Sequence, residues 1–367
     1  MSNELKAPVR YASAMEASEE DEAETSKGLN QALHEILETT SKDYGHAVRS
    51  VHAKSHGLLE GELTVSGGLP PELAQGLFAT PGTHKAILRF STNPGDILDD
   101  SISVPRGLAI KLLDVEGARL PGSEGDTTQD FVLVNGPAFA TSGPKQFLGN
   151  LKILAKTAGK AEGSKKVLST LLQATNAALS AVGIESSKVQ TLGGAPNVHP
   201  LGETYYSQVP FLFGDHVGKF AVFPVSRNLT ERTGDKINAA GRPDALREDI
   251  AEVMVEGEAV WELRVQLLRD ADKQPVEDAA ALWDEKVSPF QTVATLRAPA
   301  QLSWSHDRAR VVDDQLSFSV WHGLAAHRPL GAINRVRKPA YEMSSGFRAT
   351  FNGCPIHEPK SLETLPS

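Results

Sequence analysis

Residues 259–268 place Val260, Glu262 and Arg264 on one side of the chain and Trp261, Leu263 and Val265 on the other. A period of two fits a strand with one buried face; in a helix the same residues would scatter around the axis. The pattern recurs in weaker form. Residues 58–65, 85–90, 108–113, 130–134 and 219–225 read as further strands, with glycine and proline clustered between them. Helical spacing is confined to separate blocks. These are 26–40, where Leu29, Leu33, Ile36 and Leu37 share a face, a segment opening at Pro144 with Phe147, Leu148, Leu151 and Leu154 together, then 163–183, 243–255 and 331–348. The last block is polar, unlike a core helix, and Pro339 is expected to kink it or to mark the first turn of a shorter helix. Regular strand–helix–strand alternation is missing, so the expectation is an α+β protein on an antiparallel sheet. The expected layout is a flexible acidic tail over 1–25 carrying Glu19-Glu20-Asp21-Glu22, one domain over 26–350 with a helical insertion at 144–183, and a C-terminal tail over 351–367.

Charge and cysteine content remove several classes of function. With 37 Lys+Arg against 46 Asp+Glu, the net charge of −9 speaks against a nucleic-acid partner, whose phosphates need cations. The one cysteine, Cys354, cannot form an intramolecular disulfide or supply a cysteine-rich zinc or iron–sulfur site. It reads as a free thiol in a Pro/Gly-rich tail. The start is polar without a signal-peptide pattern, and no apolar run reaches the roughly 18 residues of a membrane span. A cytoplasmic location is expected.

Nucleotide-binding glycine motifs, a P-loop and H-E-x-x-H are absent from the sequence. His52 and His56 have a spacing that on a helix would face one metal, but they sit between a turn and a strand without a third ligand nearby. His322 and His327 read as ordinary hydrogen-bonding histidines. What remains is an ordered set of short segments. They are Arg49-Ser50-Val51-His52-Ala53-Lys54, Leu88-Arg89-Phe90-Ser91 followed by Pro105-Arg106-Gly107-Leu108-Ala109-Ile110-Lys111, Asp130-Phe131-Val132-Leu133-Val134-Asn135-Gly136-Pro137-Ala138-Phe139, and Asn334-Arg335-Val336-Arg337-Lys338-Pro339-Ala340-Tyr341, ending at Phe347-Arg348.

Together and in this order they resemble the haem catalase family, which carries Arg-x-Val-His-Ala, Arg-Phe-Ser, Pro-Arg-Gly-x-Ala-x-Lys and Arg-x-x-x-Tyr motifs with a further arginine seven residues on. The family's phenylalanine pair, eight residues apart, is matched by Phe139 and Phe147. The likeness spans residues 40–350 and is that of a short catalase-related peroxidase. It implies a catalase-like antiparallel β-barrel with surrounding helices and buried haem b.

The resemblance also implies roles. Tyr341 would ligate ferric iron as a phenolate, held anionic by Arg337 one helical turn away. His52 would take a proton from one peroxide oxygen and return it to the leaving oxygen, with Val51 beside it at the haem, Ser91 orienting its ring and Asn135 holding the peroxide. Arg49, Arg89 and Arg348 would pair with the haem propionates, while Phe139 and Phe147 line the distal side.

The chain also departs from the pattern. Val104 stands where the family has an acidic residue on the peroxide channel, and only one asparagine of an adjacent pair remains. The sequence stops soon after Arg348, so a wider and more apolar approach is expected. The implied activity is reduction of hydrogen peroxide or organic hydroperoxides with oxidation of an organic donor, with weak catalase activity alongside. The alternatives are a fatty-acid hydroperoxide isomerase or lyase of the allene oxide synthase kind, or a non-enzymatic haem-binding protein. Members of the lyase group tend to carry threonine before the distal histidine; here it is Val51. Partners would be peroxide and a small organic or lipid substrate, and the expected assembly is a homodimer. NADPH is not implied.

Overall fold

In a computed structural model that describes residues 5–155, 196–361 and 364–366, the alternating segments become strands of one antiparallel sheet. They are β1 (Ser55–Val65), β2 (Thr83–Thr92), β3 (Arg106–Leu112), β4 (Gln129–Val134), β5 (Tyr205–Tyr206), β6 (Phe211–Phe213), β7 (His216–Pro224), β8 (Ala259–Leu267) and β9 (Gln291–Ala298). The order is β5-β4-β3-β2-β1-β9-β8-β7-β6, and a further pairing of β5 with β7 closes eight strands into a barrel. Closure removes the open edges that a sheet of this size would otherwise present. β6 lies outside the ring as a hairpin partner of β7.

The alternation in β8 explains the barrel interior. Trp261, Leu263 and Val265 are buried against Leu63, Leu88, Phe90, Leu108 and Phe220, whereas Val260, Glu262 and Arg264 are half-buried. Each large inward side chain contributes roughly 1.5–3 kcal/mol of burial. β3 is buried along its whole length, because Val312, Leu316 and Phe318 cover its outer face together with Leu58 and Ile87.

Helices α1 (Glu22–Tyr44), α2 (Pro144–Ala155) and α4 (Gly331–Asn352) form a layer outside the barrel, and α3 (Ala245–Glu256) packs on β1. Leu29, Leu33 and Ile36 of α1 meet Leu151 of α2 and Val336 of α4, with Val51, Phe147 and Ala340 packed against them. The helix expected over 163–183 lies outside the described residues.

Two expectations change. Over residues 5–21 the acidic N-terminal segment is not a free tail. Val9 N donates to Leu268 O at 2.8 Å, and Glu16 accepts from Arg328 Nη2 at 2.9 Å and from the Gly331 amide at 3.1 Å. Glu16 pairs with Arg328 and Arg335 and Asp21 with Lys145, which hold the segment down. Second, α4 runs unbroken through Pro339. Tertiary packing of Ile333, Asn334, Val336, Ser344 and Arg348 outweighs the hydrogen bond that the proline forfeits.

Candidate active site

Neighbouring strands build one wall. Ser91 of β2 pairs with Gly107 of β3, which pairs with Val134 of β4, so the three form a row across the sheet. The His52 ring lies on Gly107: a Cβ there would sit 2.6 Å from His52 Cε1 and 2.7 Å from Nδ1. Only glycine permits that approach. Ser91 Oγ lies 3.1 Å from His52 Nδ1, which leaves Nε2 for other partners. His52 has φ of 55°, a left-handed conformation uncommon for this residue, fixed by its N–H donating to Asn93 O at 2.6 Å. Burial, followed by the charges of Arg89, Arg337 and Arg49, lowers its pKa from 6.5 to about 3. The imidazole is therefore neutral, and burial makes it a weak base.

The facing element is α4. Arg337 donates to the Tyr341 phenolic oxygen from Nε at 3.0 Å and from Nη2 at 2.5 Å. Two cationic donors on one oxygen suit an anionic ligand atom. Asn334 fixes Arg337, accepting from Nη1 at 3.2 Å, and its own carbonyl accepts from Trp321 Nε1 at 2.9 Å. The His52 segment lies along the same helix, with Ser50 Oγ 3.4 Å from Ser344 Oγ. Phe139 and Phe147 meet edge to face with centroids 5.0 Å apart, and Phe147 also packs in the cluster that holds Val51 and Ala340. The structure thus gathers His52, Ser91, Val51, Phe147, Arg337 and Tyr341.

Asn135 stands beside this row with its amide already engaged. Its Oδ1 accepts from the Arg106 amide at 2.8 Å and its Nδ2 donates to Glu203 Oε1 at 2.7 Å. One Nδ2 hydrogen is left for a ligand. Glu203 is buried, which raises its pKa, although Arg106 and the Asn135 hydrogen bond oppose this.

The three arginines expected at the propionates converge on Asp313 instead of standing free. Arg49 Nη1 donates to Asp313 Oδ1 at 2.9 Å and Arg89 Nε to the same oxygen at 2.6 Å. Arg348 Nη1 donates to the Asp313 carbonyl at 2.5 Å. Arg49 and Arg348 also reach the Leu316 carbonyl, at 3.0 and 3.3 Å. Burial, then the charges of Arg89 and Arg348, holds the Arg49 pKa well below its usual value; burial lowers that of Arg348 to about 10. The buried Arg348 Nε has no hydrogen-bond partner.

This set fits a ferric porphyrin dicarboxylate. It offers an oxygen ligand backed by a guanidinium, a neutral imidazole, aromatic walls, and buried cations in excess of their anions. His52 and His56 do not converge on a metal; His56 Nε2 pairs with Thr92 Oγ1 at 3.1 Å. His322 joins Asp130 and Glu358, at 3.2 and 3.0 Å, around the buried Lys111 ammonium. Cys354 is a free thiol. Sequence reasoning missed Glu203 and Asp313, and it gave no role to Asn334, which opens the last motif segment one helical turn before Arg337.

The barrel is closed, antiparallel and eight-stranded, with His52 against one wall and the Arg337–Tyr341 pair on an outer helix. In its fold the chain is similar to solved catalases. The chain is similar to a fungal catalase at 17% identity and TM-score 0.58 over 95% of its length. It is similar to catalase A from Saccharomyces cerevisiae at 17% identity and TM-score 0.57 over 96%, and to a bacterial catalase at 15% and 0.56 over 90%. It spans 65%, 70% and 63% of those three chains respectively. No family model and no curated protein matches the sequence. Among the described residues no helix is long and apolar enough to cross a membrane.

Proposed function

We propose that this chain binds haem b and acts as a hydroperoxidase, reducing hydrogen peroxide or an organic hydroperoxide while an organic donor is oxidised. The observation that carries the reading is the pair of Arg337 donors on the Tyr341 oxygen, on the helix that also packs against the His52 segment. Tyr341 would hold the iron and Phe147 would contact the macrocycle, while Arg49, Arg89 and Arg348 supply charge for its carboxylates. Bound haem would supply the ferric centre at which the peroxide oxygen–oxygen bond breaks.

The chain's residues handle the protons. His52 Nε2 accepts the proton of the peroxide hydroxyl, and Ser91 keeps the ring oriented through Nδ1. The same imidazole returns that proton to the leaving oxygen, which departs as water or alcohol. The donor gives up two electrons and two protons, so each peroxide yields one water and one alcohol, or two waters. Asn135 offers its remaining Nδ2 hydrogen to the peroxide, held in direction by Glu203. Val104 is buried and leaves the neighbouring approach without a charge, which favours organic substrates over fast dismutation. A homodimer in the cytoplasm completes the reading.

The first test is the absorption spectrum and haem content of protein produced with ample haem. A high-spin ferric, tyrosinate-type spectrum near one haem per chain is expected. Tyr341→Phe should abolish haem retention, and His52→Ala should keep haem while lowering turnover by about 100-fold or more. A colourless chain that ignores added haemin defeats the haem reading. Isomer or aldehyde products from a lipid hydroperoxide without donor place the activity with the lyases.

A further inference from the structure

Resting on the hydroperoxidase reading above, we infer that Trp321 is a separate donor site, the ring at which electron-rich phenols too large to enter beside His52 give up their electrons. Trp321 is half-buried in the segment that leads into α4, and both it and Tyr341 pack against the barrel core from outside. A continuous chain of hydrogen bonds joins its indole to the oxygen proposed to hold the iron. Trp321 Nε1 donates to the Asn334 carbonyl at 2.9 Å, the Asn334 side-chain oxygen accepts from Arg337 Nη1 at 3.2 Å, and Arg337 Nε donates to the Tyr341 oxygen at 3.0 Å. Asn334, Arg337 and Tyr341 lie on one face of α4, so regular helix fixes the path. Tryptophan is among the side chains that lose one electron most easily, and electrons cross hydrogen bonds more readily than empty space.

The charges around the ring decide how easily it is oxidised. The Asn334 carbonyl turns its negative end to the indole N–H and favours the electron-poor ring. Lys338 opposes it, with Nζ 5.5 Å from the ring centroid, but its ammonium is held at the surface by the Pro121 carbonyl at 2.8 Å, where water screens it. Gly122 adjoins that ammonium, and Glu124 accepts from the Gly122 amide at 2.8 Å, which brings a carboxylate to the same corner. His322 beside Trp321 is cationic near neutrality, but Asp130 and Glu358 answer it together with Lys111. Trp304 also leads to the site, through Ser55 to Asp313, yet the Arg247 guanidinium lies 3.9 Å from its ring centroid and makes electron loss harder. Trp261 and Trp283 are buried.

A phenol that stacks on a half-buried ring needs no path to His52, so its size is no bar. Breaking one hydroperoxide takes up two electrons and two protons and yields an alcohol and a water. Two phenols supply them, each losing one electron to Trp321 and its hydroxyl proton to water, and each leaving as a phenoxyl radical. Trp321 passes each electron on toward the haem and ends unchanged, its Nε1 proton staying in the bond to Asn334.

The test gives the haem-loaded full chain an organic hydroperoxide and either of two donors, the small phenol guaiacol or the extended bis-phenol syringaldazine. Trp321→Phe keeps an aromatic ring in the packing and removes the indole. The ratio of syringaldazine to guaiacol kcat/KM should fall about tenfold or more, at a haem content equal to wild type by Soret absorbance. Without donor, hydroperoxide and the spin trap methylnitrosopropane should leave an adduct on the wild-type tryptic peptide 311–335, in which Trp321 is the one tryptophan and tyrosine is absent. An unchanged ratio overturns the inference, and so does a peptide 311–335 free of adduct, whether or not Trp304 carries one. Should Trp321→Phe fail to fold or to keep haem, the wild-type adduct decides alone. A chain that takes up no haem, or consumes no hydroperoxide with either donor, sinks the hydroperoxidase reading and the inference with it. One that oxidises guaiacol but shows neither effect sinks only the Trp321 site.

Discussion

The chemistry of this site depends on a glycine as much as on the titratable groups. Gly107 brings β3 so close to His52 that the ring has one place to lie, and Ser91 then selects its rotation. Gly107→Ala adds a methyl group that overlaps Cε1 and Nδ1, so the ring must swing off the serine. Steady-state peroxide turnover should fall about tenfold or more, with haemin affinity within about threefold of wild type, because the residues that hold the porphyrin are untouched. Equal loss of both would mean that the glycine serves folding alone. His52, Ser91, Tyr341 and Arg337 were legible in the sequence because ordered short motifs carry them. Asp313 was not. It stands in Val-Val-Asp-Asp with nothing local to mark it, and its partners are 224 and 264 residues away along the chain.

At the level of elements, α4 carries an unusual stripe. Asn334, Arg337, Tyr341, Ser344 and Arg348 recur at spacings of three and four, so one helical face is polar and yet turned inward. Of that stripe Asn334, Ser344 and Arg348 are buried against polar partners, while Gly331, Ala332, Ile333 and Val336 add the helix's apolar burial. Pro339 sits in the helix interior and cannot donate to the Arg335 carbonyl. Since the helix stays continuous around it, Pro339→Ala should stabilise the chain by about 1–3 kcal/mol, read from chemical denaturation. A destabilised variant would show that the ring's own packing outweighs the missing bond. The strands read from alternation appear where expected, with ends shifted by a few residues. β5 and β6 escaped notice because two or three residues cannot display a period, and β9 because its Thr-Val-Ala-Thr-Leu run is only weakly apolar. Closure of the barrel was out of reach of local pattern altogether, since it depends on a two-residue strand pairing with β7.

Across the whole molecule, buried histidines set opposing pH dependences. Burial is the first cause that lowers His52 to about 3 and His327 to about 4, from 6.5 in the unfolded chain. Between those values and 6.5 the unfolded state binds more protons, so stability rises with pH. His322 runs the other way. Burial opposes its charge, but hydrogen bonds to Asp130 and Glu358 win and raise its pKa to about 9. Its contribution is complete below 6.5 and is lost as pH climbs through 9, on the order of 3 kcal/mol in all. The same contact fastens the C-terminal segment, because Glu358 also takes the Lys111 ammonium and Thr128 Oγ1. Thermal melting from pH 4 to 10 should therefore peak near pH 6.5, with an acid limb from the depressed histidines and an alkaline limb from His322. His322→Gln should flatten the alkaline limb between pH 7 and 9 and leave the acid limb unchanged. If the alkaline limb persists in that variant, a group other than His322 deprotonates between pH 7 and 9 and the assignment to His322 fails.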